Sequence, residues 1–158
     1  MSHFEDYNIG DITELGSYTF SAEDIVRFAS AYDPQGFHLS DEAAAASHFG
    51  RLSASGWHTA AVWMKLMVAF QKRHAARLLA EGLPVGRLGP SPGVDDMRWL
   101  KPVSAGDTVT YSCRVTSLTE SRSRPEWGLM TMLNEGVNQH GEVVFTFVGH
   151  VFVERRPG

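Results

Sequence analysis

The chain has 158 residues, 43% of them apolar and 20% charged, with a formal net charge of −4. That length suits a single domain burying roughly 70% of its unfolded surface, with no disulfide or metal needed to hold it. The acidic balance, with short and scattered basic groups such as Lys72-Arg73-His74 and Arg155-Arg156, argues against a nucleic-acid partner.

The N-terminus, Met1 to Asp6, lacks the basic-then-apolar pattern of a secretory signal. The longest apolar run, Trp57 to Phe70, contains Lys65 and is too short to span a bilayer. Cys113 is the only cysteine, so no internal disulfide can form. These features predict a cytoplasmic protein without a membrane segment.

In chain order, Gly10-Asp11 and Gly16 mark turns, and Ser17 to Phe20 reads as a short strand. Ser21 is an N-cap, with Asp24 three residues on. Ile25, Phe28, Ala29 and Tyr32 then share one helix face. Pro34 disfavours helical geometry at Asp33, so the helix ends near Tyr32 and leaves a carboxylate at its exit. Gly36 allows a second bend before Phe37 and His38. Ser40 caps another short helix, with Asp41 and Glu42 in its acidic first turn.

Ser53-Ala54-Ser55-Gly56 opens the main helix, predicted from Gly56 or Trp57 to about Ala80. At ~1.5 Å per residue it is on the order of 37 Å long. Its first half is apolar on every side, which predicts burial all round. Gly82 and Pro84 stop it. Beyond residue 93 β-branched and aromatic residues recur with period two. Met97–Leu100, a strand around Val109–Val115, Leu129–Leu133 and a last strand from Val143 to Val153 are predicted, the last two joined by a turn at Asn138–Gly141. Val143, Phe145, Phe147, Val151 and Val153 share one face of the last strand. Helices followed by a run of strands make the fold α+β. A long apolar helix beside a long antiparallel sheet predicts a hot-dog architecture over residues 1–158.

Asp33 and His38 stand five positions apart around a bend. An acid and an imidazole so placed are a candidate pair for proton transfer, because imidazole exchanges protons near neutrality. Taken alone, the pair is more often a helix-ending carboxylate and a cap histidine. Among His3, His48, His74, His140 and His150 no paired metal spacing occurs, so no metal is predicted. A serine-hydrolase elbow is missing as well.

The stretch Tyr32-Asp33-Pro34-Gln35-Gly36-Phe37-His38-Leu39 resembles the signature of the MaoC-like acyl dehydratases, which include the (R)-specific enoyl-CoA hydratases. Phe4-Glu5-Asp6 with Gly10-Asp11, Ser55-Gly56-Trp57-His58-Thr59, and Arg98-Trp99-Leu100-Lys101-Pro102-Val103 with Gly106-Asp107 resemble three further stretches of that family, in the same order. The resemblance implies reversible addition of water to a trans-2-enoyl thioester. It implies Asp33 and His38 as the catalytic pair, with Asp33 favoured as the main base and His38 as proton donor, or the two roles shared between them. Gly56 is implied as the N–H donor to the thioester carbonyl, with Ser55 and Trp57 beside it as substrate-binding candidates. Gln35-Gly36 stands where the best-known hydratases have Asn-Pro, and Met64 stands near the place of a serine on their central helix.

Coenzyme A would enter as part of the substrate and no cofactor is implied. Arg98 and Lys101 are candidates for its phosphates, against a solvated strand end as the plainer role. Trp57 and Trp63 are candidates to line an acyl tunnel, with core packing the better assignment for Trp63. His58 is either a support for Gly56 or a structural histidine. A homodimer or higher homo-oligomer is implied, with sites near the subunit interface. The competing readings are a hot-dog acyl-CoA thioesterase and a non-catalytic acyl-thioester-binding subunit.

Overall fold

The computed structural model describes residues 2–157. Five strands form one antiparallel sheet in the order β1-β3-β4-β5-β2: β1 (Ile12–Thr19), β2 (Gly93–Trp99), β3 (Thr108–Glu120), β4 (Trp127–Asn138) and β5 (Val143–Glu154). Three α-helices, α1 (Ala22–Tyr32), α2 (Asp41–Ala45) and α3 (Gly56–Ala80), lie between β1 and β2. This is the α+β hot-dog arrangement, a long helix against one curved sheet.

The helix boundaries follow their caps. Ser21 Oγ accepts the Asp24 N–H and Ser40 Oγ accepts the Ala43 N–H, as the cap pattern predicts. The Asp24 carboxylate does not return to the Ser21 backbone. It takes the Tyr18 hydroxyl at 2.6 Å and pairs with Arg27. α3 runs over its predicted span and ends ahead of Gly82, whose φ of +70° only glycine adopts freely.

Three expectations need correction. β1 begins five residues before the predicted Ser17, because a bulge between Glu14 and Gly16 resets the alternation and turns Leu15 inward. β4 extends to Asn138, past residues of poor strand propensity, because β3 and β5 pair with it on both sides. In β5 an irregularity opposite Gly136 and Val137 places Val144 in the core, while Val143 and Val151 are only half-buried.

The helix α3 is also not enclosed on every side. The sheet and α1 cover the face carrying His58, Thr59, Val62 and Met67, but Trp57, Met64 and Val68 are 60%, 52% and 38% exposed. A single sheet layer covers one side of a helix, so an apolar stripe stays uncovered in the protomer. At the sheet edge, β2 is almost wholly exposed and irregular between Asp95 and Arg98.

Candidate active site

The turn after α1 brings the two candidate groups together. Asp33 closes α1, its N–H bonded to the Ala29 carbonyl, and its own carbonyl accepts the Gln35 N–H across Pro34 at 2.8 Å. A short 3-10 turn, Gly36–His38, then directs the His38 ring back toward Asp33. His38 is 5% exposed. Its Nδ1 lies 2.6 Å from the Ser53 carbonyl oxygen. A carbonyl only accepts, so Nδ1 carries the hydrogen, and Nε2 of the neutral ring keeps a lone pair. That nitrogen lies 3.5 Å from Asp33 Oδ2.

Both carboxylate oxygens of Asp33 are held. Oδ2 accepts from Ser55 Oγ at 2.6 Å and Oδ1 from Gln35 Nε2 at 2.7 Å. The Ser55 hydroxyl is the largest influence holding the Asp33 carboxyl below the usual carboxylate range. Partial burial opposes it, and Gln35 and His38 add to the lowering.

Ser55 is the N-cap of α3, accepting the Trp57 N–H at 3.2 Å while donating to Asp33. At 1% exposure, with its hydroxyl so engaged, Ser55 positions the carboxylate and the helix start. Gly56 follows as the first residue of α3, where backbone N–H groups lie ahead of the first helical hydrogen bond at the positive end of the helix dipole. Trp99 lies directly over it. The indole Nε1 donates to the Gly56 carbonyl at 2.7 Å, and a Cβ on Gly56 would come within 2.7 Å of the ring. Only glycine fits beneath that indole.

These groups border one open cavity of about 630 Å³, with Asp33, His38, Gly56 and Trp57 in its wall and Phe37, Phe49, Trp99 and Lys101 around them. Trp57 meets Trp99 edge to face at 5.3 Å. Lys101 lines the cavity and pairs with Glu142. Arg98 does not line it, and donates to Asp96 at 2.8 Å. His58, although two residues from Gly56, points away into an aromatic cage, stacked on Phe28 at 4.5 Å and edge-on to Phe20. Trp63 packs against Phe147 in the core.

Sequence reasoning missed Trp99, Gln35 and the Ser53 carbonyl. Trp99 stands inside the Arg98–Val103 stretch that carries the family resemblance, and a large aromatic residue there, beyond the central helix, is a signal that could have found it. The Ser53 contribution is a backbone atom and has no signature in residue type.

The family described as FAS1-like, dehydratase domain region, matches residues 8–147. The chain belongs to that dehydratase family. A MaoC-like dehydratase from Rhodospirillum rubrum has the same fold with a TM-score of 0.81, 36% identity and full coverage of both chains. An uncharacterized protein of Bacillus subtilis, YdeM, is 28% identical over 96% of this chain and 98% of its own length. A mesaconyl-CoA hydratase from Cereibacter sphaeroides is 39% identical over 72 residues, which are 46% of this chain and 20% of that protein. The resemblance carried by the Tyr32–Leu39 stretch is thus borne out at the level of the MaoC-like hydratase and dehydratase family. Among the described residues of this family member, no helix is long and apolar enough to cross a membrane.

Proposed function

We propose that the protein adds water reversibly across the C2=C3 bond of a trans-2-enoyl-CoA thioester, giving a 3-hydroxyacyl-CoA. The observation that carries this reading is the separation of 3.5 Å between His38 Nε2 and Asp33 Oδ2 in the wall of a cavity that also contains Gly56. That gap exceeds a direct charge-assisted hydrogen bond and suits a shared water.

Asp33 is the base that the sequence favours. Its two hydrogen-bond donors and lowered pKa make its carboxylate the poorer base, and they favour the open lone pair of His38 Nε2 instead. In this scheme Nε2 takes a proton from water as the oxygen bonds to C3. The C2=C3 electrons move to the thioester oxygen, where the Gly56 N–H receives the developing charge. The imidazolium then returns its proton to C2. Asp33 stays ionised, orients the water and stabilises the imidazolium. The reaction needs no cofactor, and Lys101 is the cation best placed to meet a coenzyme A phosphate.

Crotonyl-CoA tests the reading: the enoyl absorbance falls while no free thiol appears. Thiol release would mean a thioesterase, and silence in both channels would mean a binding subunit. Asp33→Asn should lower kcat by roughly 10²–10³-fold, the size of losing one preorganised electrostatic group, because it removes the charge that orients the water and stabilises the imidazolium. A variant with full rate removes the pair from the mechanism.

We also propose a homodimer, in which a second copy covers β2 and the exposed Trp57, Met64 and Val68 stripe. Sedimentation equilibrium should give twice the 17.4 kDa protomer mass. A protomer mass at micromolar concentration overturns the dimer. A cytoplasmic setting fits a chain whose one cysteine is free and buried.

A further inference from the structure

Gly106-Asp107 belongs to a stretch that resembles the dehydratase family, yet it lies outside the lining of the cavity of Asp33 and His38. Asp107 is a carboxylate only 8% exposed, in the turn that leads into β3. Each of its polar atoms is engaged. Oδ2 accepts the Ser104 N–H at 2.7 Å, and Oδ1 accepts from Gln139 Nε2 at 2.8 Å. Its own N–H donates to the Ser104 carbonyl at 3.0 Å, and its carbonyl accepts the Phe20 N–H at 2.9 Å. Gly106, with a φ of +92°, supplies the left-handed step that lets the carboxylate fold back onto Ser104.

This turn holds one side of a short antiparallel ladder. The Ala54 N–H donates to the Val103 carbonyl at 2.7 Å and the Ala105 N–H to the Leu52 carbonyl at 3.0 Å, on either side of the Ser53–Ser104 pair. In a pair flanked by hydrogen bonds rather than joined by them, the N–H and C=O of both residues point away from the partner. Ser104 therefore presents its N–H to Asp107, and Ser53 presents its carbonyl to His38 Nδ1, 2.6 Å away. The two serines are 1% and 2% exposed, with their hydroxyls 3.3 Å apart. Asp107 and His38 thus face each other across one bridge that only two backbone bonds close.

The charge of Asp107 also acts on the far side of that bridge. Two neutral donors do not compensate a buried carboxylate. A cation stands near it: Arg51 Nη2 lies 3.9 Å from Oδ2. Arg51 precedes Leu52, and its carbonyl accepts from Ser53 Oγ at 3.1 Å. One carboxylate therefore grips Ser104 directly and draws in the Ser53 segment through Arg51. The Arg51 side chain is mostly exposed, so solvent screens this second attraction and the Ser104 bond is the stronger of the two.

We propose that Asp107 is a positioning residue for His38. Through Ser104 and the Ser53 bridge it sets the direction of the Ser53 carbonyl and so keeps the hydrogen of the neutral ring on Nδ1. The nitrogen that carries the hydrogen in a histidine is set by the bond its other nitrogen makes. With Nδ1–H held, Nε2 keeps its lone pair toward Asp33. When the Ser53 carbonyl turns away, the tautomer with hydrogen on Nε2 becomes populated, and that nitrogen no longer accepts a proton. The effect on the ring stands by itself; the effect on rate rests on the proposed hydratase function.

The test reads the ring and the rate separately. Long-range proton–nitrogen correlation spectra of ¹⁵N-labelled protein at pH 8 should show wild-type His38 with a protonated Nδ1 and a bare Nε2. Asp107→Ala should give a mixture of tautomers. Its kcat on crotonyl-CoA should fall about tenfold, the rate equivalent of one hydrogen bond lost behind the ring, with KM within about twofold. Asp107→Asn keeps an oxygen for the Ser104 N–H and should restore most of both readouts, the remainder being the attraction of Arg51. Gln139→Leu, at an exposed position, frees one end of the carboxylate and should move both readouts the same way by a smaller amount. It decides the matter if the alanine variant does not fold.

Variants that lose stability while His38 keeps its wild-type ring signals reduce Asp107 to a turn-forming residue and overturn the proposal. A mixed tautomer with unchanged kcat upholds the hold on the ring and removes His38 Nε2 from proton transfer, so that failure belongs to the proposed function. If wild type hydrates no enoyl-CoA, the proposed function fails while the spectra still decide what Asp107 does.

Discussion

His38 and His58 lie near the same end of α3, equally hidden from solvent, and have opposite chemistry. His38 is fixed through Nδ1 by a backbone carbonyl and turns Nε2 toward a carboxylate at the wall of an open cavity. His58 is stacked flat on Phe28 with Phe20 and Tyr18 at its edges, and its Nδ1 has no partner among the described residues. Burial lowers the His58 pKa to about 4, with the attraction of Asp24 opposed by Arg27 and Lys65. Burial alone therefore does not make a histidine reactive. What separates the two is a polar scaffold that presents one nitrogen to the cavity, which the turn at Pro34 and the Ser53–Ser55 segment supply.

The sharpest way to break this comparison is to give both histidines the same substitution. His38→Phe should lower the rate on an enoyl-CoA by roughly 10²–10⁴-fold, and His58→Phe should leave it within about twofold. Equal losses would mean that the cage, too, takes part in the chemistry. Gly56→Ala comes next in size. Its methyl group collides with the Trp99 indole, so the Trp99 hydrogen bond to Gly56 must break and the first turn of α3 must shift. We expect kcat to fall on the order of 10²-fold, the size of losing one oxyanion donor. Gly56→Ala combined with Trp99→Ala should recover part of it by relieving the collision.

His58→Phe also has a pH signature. A folded pKa near 4, below the ordinary 6.5, means that the unfolded chain binds the proton more readily between those values. Stability is present above pH 6.5, is lost as pH falls toward 4, and levels off below. Phenylalanine removes that dependence and fits the same stack. Urea unfolding at pH 7 and pH 5 should show the variant gaining roughly 1–2 kcal/mol on wild type over this interval. Parallel pH profiles would show that His58 is not held neutral by its cage.

The readable parts of the chain were those set by local rules. The caps at Ser21 and Ser40, the stop at Pro34 and the full span of α3 all follow from residue type and spacing. What residue type could not supply was long-range. The bulge at Leu15 hid half of β1, and pairing on both sides carried β4 through Asn134, Glu135 and Gly136. At the candidate site, the turn at Asp33 and the helix start at Gly56 leave marks in the sequence, while the roles of Asp33, His38 and Gly56 came from the family resemblance. Trp99 reaches Gly56 from 43 residues away, and only the paired sheet puts it there. The exposed side of α3 was misread for a related reason. An apolar helix face records that something covers it, and the sequence of one chain does not say whether the cover is its own sheet.

The smallest effect isolates the scaffold from the reacting groups. Ser55→Ala removes both the cap of α3 and the first donor to Asp33. The lost cap should cost about 1 kcal/mol in denaturant unfolding. Without that donor the Asp33 carboxyl rises toward the ordinary carboxylate value of about 3.9. A depressed carboxyl contributes stability that is full above its unfolded value and lost as pH falls through the folded one, so the variant loses part of this contribution. If the Ser55 hydroxyl also holds the carboxylate that orients the water, kcat at pH 8 should fall by about tenfold, the rate equivalent of ~1.4 kcal/mol. Ser55→Thr keeps the hydroxyl and should restore the wild-type kcat. A stability loss with an unchanged kcat would limit Ser55 to capping the helix, and the polar scaffold around His38 would then rest on Gln35 and the Ser53 carbonyl.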